Sequence, residues 1–293
     1  MSKTSAPAGL LIAAGLLAGC GSSAQPAATV NGRDISMSAY TKQVAYKCAM
    51  TSTSFQGLNV CQGKDVTGLR KKLRQTALNT LIDEELVRQY ARTHHISISQ
   101  SDFGTAWTVY YERKFRRNYP VLKNYAKGVG LTVPDIKNMV YFDILQQRVL
   151  YGVTKNMPIQ VPATRMGQVV ITSQGQITTL RRSLDSGQSF LSVAGAIAKK
   201  NHTQCAQVEC GELGWLPDAF LPANERQVRT APGGTLVGPY PIQTGAIVIY
   251  VERHVPNYPL DAKQQFAMRQ QVVFPRWLAQ QAQSAKVHRY VAT

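Results

Sequence analysis

Along most of residues 29–158 apolar positions recur every three or four residues, the period of a helix that buries one face. Leu69, Leu73, Ala77 and Leu81 form the clearest stripe, with Leu78, Ile82, Leu86 and Tyr90 beside it. They predict one long amphipathic helix. A shorter one is expected around Tyr40, Val44 and Cys48. Ser99-Gln-Ser-Asp102 is a helix-start pattern, because a serine oxygen there accepts from an N–H that the first turn leaves free. Phe103, Ala106, Trp107 and Tyr110 follow it as the apolar face. Thr132-Val-Pro-Asp135 opens a fourth helix, since Pro134 costs no hydrogen bond in the first turn, and Ile136, Val140 and Ile144 share one side.

The period changes after Pro158-Ile-Gln-Val-Pro162. Gly167–Ile171 reads as a strand, Ile177–Leu184 as a helix stopped at Gly187, and Phe190–Ala198 as a second helix. Ala246–Val251 is a buried strand rich in β-branched residues. Beyond Pro256-Asn-Tyr-Pro259 the helical period returns in Phe266, Val273 and Trp277, with a kink expected at Pro275. The fold class is α+β. A mostly helical module of residues 29–158 is completed by a C-terminal helix in 257–293, which is too short to be stable alone and is expected to pack back on it. An α+β module of residues 159–256 is inserted between them.

A chain of 293 residues with 44% hydrophobic and 17% charged residues supports a core and excludes wholesale disorder. Its 33 Lys and Arg against 16 Asp and Glu leave +17, which points to an anionic partner. The excess is uneven. Residues 26–158 hold 19 basic and 9 acidic side chains, residues 159–256 hold 8 and 6, and residues 257–293 hold 5 and 1.

Lys3 precedes an apolar run, Ala8–Ala18, that is too short to span a bilayer and reads as the core of a secretory signal. Leu17-Ala-Gly-Cys20 resembles the lipobox of bacterial lipoproteins. That resemblance implies a signal peptide over residues 1–20, acylation of Cys20, and a tether over residues 21–28. An ordinary signal peptide with an incidental Cys20 is the alternative. With Gly21 rather than Asp after the cysteine, no inner-membrane retention signal is visible.

Export makes Cys48, Cys61, Cys205 and Cys210 candidates for disulfides, with three connectivities open. The sequence-near pairing, Cys48 with Cys61 and Cys205 with Cys210, closes the shortest loops. A metal site is the rival, but no histidine lies at ligand spacing from both pairs. No metal, cofactor or nucleic-acid partner is therefore expected.

Val30-Asn-Gly-Arg-Asp-Ile35, Gln75-Thr-Ala-Leu-Asn-Thr-Leu-Ile-Asp-Glu-Glu-Leu86 and Thr93-His-His-Ile-Ser-Ile-Ser99 resemble the first helical module of the extracytoplasmic foldases of the PrsA and SurA type. In the middle module, Gly187-Gln-Ser-Phe190 with Ala194 resembles the Gly-x-x-Phe-x-x-x-Ala helix of parvulin-type (PpiC) prolyl isomerases. Cys210-Gly-Glu-Leu-Gly-Trp-Leu216 is similar to their Gly-Gly-Asp-Leu-Gly-Trp turn, and Pro232-Gly-Gly-Thr-Leu-Val-Gly-Pro239 to their Pro-Gly-x-x-Ser-x-Pro-Val segment.

The resemblance implies a pocket for a substrate proline beside two histidines and an acid or thiol, which together ease rotation about an amide whose barrier is about 20 kcal/mol. Aligned on these blocks, Gln168 takes the first histidine position, Ala246 or Ile247 the second, and Thr203 or a neighbour the acid or thiol position. Asn224 and Arg229 fall where apolar wall residues are usual, while Leu213, Phe220 and Leu221 keep part of that wall. His202 is the one histidine near the site, and Cys205 is read as a disulfide cysteine rather than a thiol. Weak or absent isomerase activity is expected.

Other motifs have plain readings. Glu84 and Glu85 are adjacent on a helix and point apart, so they are no catalytic pair; His94-His95 ends that helix. Arg113-Lys-Phe-Arg-Arg-Asn-Tyr-Pro120 mixes cations with aromatics, as a solvated helix end or a charged contact surface does. Trp107, Tyr110, Tyr111 and Tyr119 are read as packing residues or as a cradle for unfolded chains.

The expected function is a membrane-anchored extracytoplasmic chaperone or foldase whose partners are unfolded or proline-containing exported polypeptides, with the membrane reached through a lipid anchor. An active prolyl isomerase with a divergent site and a structural envelope lipoprotein are the alternatives. Nothing in the sequence fixes an oligomeric state.

Overall fold

Asn31 and Gly32 both hold positive φ, 50° and 77°, and so make the two-residue turn whose twist suits a β-hairpin. They join strands Ala28–Val30 (β1) and Arg33–Ile35 (β2), which pair antiparallel with Ala28 opposite Ile35. This corrects the helical reading of these residues: an Asn-Gly turn with both residues at positive φ outweighs the period that follows. The computed structural model describes residues 25–54, 61, 67–201 and 211–292.

Helices Met37–Ser54 (α1), Thr67–Thr93 (α2), Gln100–Phe115 (α3), Tyr119–Gly128 (α4) and Val133–Thr154 (α5) come next. Of the expected stripe on α2, Ala77, Leu78, Ile82 and Leu86 are buried, with Val87 and Ala91 beside them, while Leu69, Leu73, Leu81 and Tyr90 are half-buried, so the core-facing side lies toward Leu78 rather than along Leu69 and Leu73. Ser99 caps α3 by accepting from the Asp102 N–H, and Thr132 with Asp135 forms a reciprocal capping box on α5, with Pro134 in its first turn.

Strand Gln160–Ile171 (β3) starts earlier than expected, and Pro162 sits where its pairing with Gly245–Pro259 (β6) shifts register. Helices Gln174–Asp185 (α6) and Phe190–Lys200 (α7) follow, then strands Gly211–Pro217 (β4) and Thr235–Ile242 (β5). The sheet is antiparallel in the order β4-β3-β6-β5. Ala262–Met268 (α8) runs through one π-helical segment, residues 269–273, into Phe274–Ser284 (α9). The wider turn absorbs Pro275, which has no N–H to continue the ladder, so the expected kink takes the form of a π segment. The expected helical tail ends instead as a strand, Val287–Arg289 (β7), paired with the free side of β1.

Packing divides the chain into two compact units, residues 1–82 with 286–293, and residues 83–285, so the division falls inside α2. In the first unit the three-stranded sheet β2-β1-β7 is stitched at its turn. The Lys286 N–H donates to Asn31 Oδ1 at 2.8 Å, and the Asn31 N–H donates to the Lys286 carbonyl at 2.9 Å. Cys48 on α1 and Cys61 stand at disulfide-bonding distance, their Cα atoms 5.8 Å apart.

In the second unit Val87 and Ala91 of α2 pack with Phe142, Leu145 and Val149 of α5 and Phe274 of α9, and Trp277 meets Tyr90 edge to face at 5.0 Å. Phe115, Leu122, Ala126 and Ile136 form a separate core among α3, α4 and α5, ringed by Trp107, Tyr110, Tyr111 and Tyr125. The aromatic run thus contributes chiefly to packing. Among the described residues no helix is long and apolar enough to cross a membrane.

Candidate functional site

The two faces of the four-stranded sheet differ. On one, Val169, Ile171 and Val248 pack with Ile177, Leu180, Phe190, Val193 and Ile197 of α6 and α7. Gly167 is required there: a Cβ would lie 2.4 Å from the Phe190 ring and 2.8 Å from the Gly211 carbonyl oxygen. Phe190 in turn stacks on Tyr250, ring centroids 5.1 Å apart. The Gly-x-x-Phe motif therefore locks α7 onto the sheet.

On the other face Met166, Val237, Ile249 and Val251 are buried, with Leu213, Leu216, Tyr240 and Ile247 half-buried beside them. Two short 3-10 segments, residues 218–220 and 223–229, cover this layer, with Leu221 from the link between them and Val228 from the second packed into it. Phe220 lies half-exposed in the first segment. Arg229 donates to the Leu221 carbonyl at 3.1 Å, so its guanidinium stands next to a wall residue.

Gln168 pairs in register with Ile249, and cross-strand partners point to the same side, so the Gln168 side chain belongs to this second face. Ala246 pairs with Ile171 and packs against the α6–α7 layer. Gln168 and Ala246 are therefore on opposite faces. Ile247, opposite Tyr240 on β5, is the residue that shares the face of Gln168. Neither Gln168 nor Ile247 supplies an imidazole. His202, Thr203, Cys205 and Cys210 lie outside the described residues, as does Cys20.

The sequence reading missed Tyr240. Its hydroxyl is buried and has no hydrogen-bond partner among the described residues. Burial raises its pKa, and the negative charge of Glu225 adds to the rise; burial likewise pushes the Glu225 carboxyl up. Tyr240 is thus held as a neutral hydrogen-bond donor on a largely apolar surface. Its signal in the sequence is an aromatic straight after Gly238-Pro239, where β5 shifts register against β6, a place that reads as ordinary core.

A second polar group joins the strands near the start of β3. The buried Thr164 hydroxyl meets Asp218 and His254, and Arg165 is held between Glu212 of β4 and Glu252 of β6. These groups tie β4, β3 and β6 together. Glu84 and Glu85 hold Arg88 and Arg92 respectively and form no carboxylate pair. Among the described residues no group of three or more His, Cys, Asp or Glu stands ready to hold a metal ion.

Residues 8–106 match the SurA-like N-terminal domain. The match meets the SurA-type reading of the first module and covers about a third of the chain. Among solved structures, PrsA from Bacillus anthracis is similar at 17% identity, over 71% of this chain and 94% of that one, with a TM-score of 0.41. One of two SurA-like chaperones of Campylobacter jejuni, PEB4 and Cj1289, is similar at 9% identity, over 90% of this chain and 98% of that one, TM-score 0.32. A parvulin of Nitrosopumilus maritimus is similar at 18% identity, over 31% of this chain and 96% of that one, TM-score 0.25. No curated protein matches the sequence.

Proposed function

We propose that this protein is an extracytoplasmic chaperone or foldase for unfolded exported polypeptides, held at a membrane by a lipid on Cys20, whose parvulin-like module has weak or no isomerase activity. In this reading residues 29–158 and 257–293 form the chaperone module and residues 159–256 the parvulin-like one. The SurA-like match over residues 8–106 supports the first part. The second is supported by the sheet face itself: Gln168 and Ile247, which the resemblance aligns with the two parvulin histidines, share the face that Leu213 and Leu221 pack on. Such a surface binds an extended apolar or proline-containing segment. Among the described residues, neither Gln168 nor Ile247 offers the amide an imidazole.

The test compares two activities of one preparation. Suppression of aggregation of a reduced, unfolded client with little acceleration of cis-to-trans conversion of an Ala-Pro peptide is expected. Robust isomerisation, lost when Leu213 and His202 are changed, would overturn the inactive-module reading. One observation favours that second reading, an active isomerase with a divergent site: the buried Tyr240 hydroxyl, on the same face, is a donor without a partner among the described residues. Tyr240→Phe separates the two, because it removes isomerase activity only where such activity exists.

A further inference from the structure

Trp107 and Tyr111 stand one turn apart on α3 and stack nearly parallel, with 10° between their planes and 5.7 Å between ring centroids. The pair packs beside the core around Phe115 and also lines an open cleft of about 290 Å³. Tyr119 and Leu122 of α4 and Pro134 and Lys137 of α5 line it too, so three helices contribute. Tyr119 is 55% exposed, whereas Leu122 is buried. The Tyr111 hydroxyl donates to the Arg117 carbonyl at 2.9 Å, which ties the α3 wall to the left-handed turn before α4. The cleft is thereby formed before anything enters it. Its volume is near the lower end of ligand pockets, roughly 300–1,000 Å³, and suits about two residues of an extended chain.

The polar groups of the lining narrow the occupant. The Lys137 ammonium lies 5.3 Å from the centre of the Trp107 ring, and no carboxylate lines the cleft. Among the described residues, neither that ammonium nor Trp107 Nε1 has an ion-pair or hydrogen-bond partner. Both groups can only donate. An occupant must therefore bring acceptors, and an N–H turned toward these donors would be left unpaired. Proline meets both conditions: it has no N–H, its preceding carbonyl accepts, and its ring packs on aromatic faces. A phenylalanine fills similar space but carries the N–H. A carboxylate next to the proline answers Lys137, and a cation there is repelled.

We propose that the cleft among α3, α4 and α5 binds a short extended segment in which proline stands beside aspartate or glutamate, with the proline ring against Trp107 and Tyr119 and the carboxylate on Lys137. The proposal rests on the client-binding reading above and narrows it. The helical module itself selects acidic, proline-bearing stretches, independently of the parvulin-like sheet.

The test is titration of a short, fluorescently labelled peptide of Glu-Pro repeats with the full, unlipidated chain, read by polarisation. Parallel peptides carry Lys for Glu, Ala for Pro or Phe for Pro. The Glu-Pro peptide is expected to bind most tightly. Lys137→Glu should weaken it at least about fivefold and strengthen the Lys-Pro peptide by a similar factor, an exchange that a damaged fold does not produce. Tyr119→Ala, at an exposed position, should weaken the Glu-Pro peptide about tenfold. Absence of binding, equal binding of the alanine peptide, or unchanged binding by either variant would overturn the proposal. Tighter binding of the phenylalanine peptide would overturn it too, since the cleft would then take aromatic side chains. Aggregation of an unfolded client, followed with the same preparations, keeps the two readings apart. Suppression without Glu-Pro binding rejects the cleft and leaves the chaperone; Glu-Pro binding that needs Tyr119 and Lys137, without suppression, upholds the cleft and rejects the chaperone.

Discussion

The hydroxyl of Thr164, fully buried, lies 2.9 Å from Nδ1 of His254, and the same hydroxyl is 2.8 Å from Asp218 Oδ1. His254 Nε2 donates to the Ala231 carbonyl at 2.8 Å. One small side chain thus joins β3, β6 and the turn after β4. Thr164→Val keeps the shape and removes the shared atom, and should cost about 1–3 kcal/mol in denaturant unfolding. Thr164→Ser should retain most of the stability. An unchanged unfolding midpoint for the valine variant would show that water replaces the hydroxyl.

Gly167 has no space for a methyl group. Gly167→Ala drives a carbon against the Phe190 ring and the Gly211 carbonyl oxygen, so both the ring and the β4 backbone must shift. A loss of about 1–3 kcal/mol is expected, with a change in the near-ultraviolet signal of the stacked Phe190–Tyr250 pair. Full wild-type stability would mean that both yield without cost.

Asp102 links the start of α3 to α5. The Ser99 hydroxyl, then Arg148, holds its carboxyl below the usual carboxylate range. A depressed folded-state pKa contributes stability that is present above the unfolded value and lost as pH falls through the folded one. Asp102→Asn should therefore lower Tm at neutral pH, and the gap from the parent should close in strong acid. Melting curves of both proteins across that range decide it; a gap independent of pH would assign the effect to the helix cap alone.

The 5.8 Å Cα separation of Cys48 and Cys61 suits a disulfide, and a sequence separation of 13 makes the closed loop worth about 3 kcal/mol. Peptide mapping of the oxidised protein should find these two linked, with Cys205 joined to Cys210. Reduction should lower the stability of the first unit by about that amount. A crossed linkage such as Cys48 to Cys205 would contradict the expected pairing.

The elements legible in the sequence are those whose burial is periodic. The Leu69–Tyr90 stripe, the Ser99 and Thr132 caps and the strands around Val169 and Val248 each follow from local spacing, and each is present. What local spacing left hidden depends on distant partners. Val287–Arg289 is a strand because β1 offers it an edge, and Asn31-Gly32 shows its meaning once that edge is paired. In the site, period-two alternation decides between neighbours: it places Ile247, and not Ala246, beside Gln168. Tyr240 escaped notice because a missing hydrogen bond leaves no trace in sequence.

The pairing of β7 with β1 also sets an order of events. Residue 31 is bonded to residue 286, 255 positions away, so the central strand of the first sheet must wait for nearly the whole chain. The second unit waits almost as long, because the core of Val87, Ala91 and Phe142 is closed by Phe274 and Trp277. During synthesis from the N-terminus onward, the core around Val87 is completed only when Phe274 and Trp277 emerge, and the first sheet only when residues 286–289 arrive. For this protein, folding of the first-made segment is among the last events of its own biogenesis.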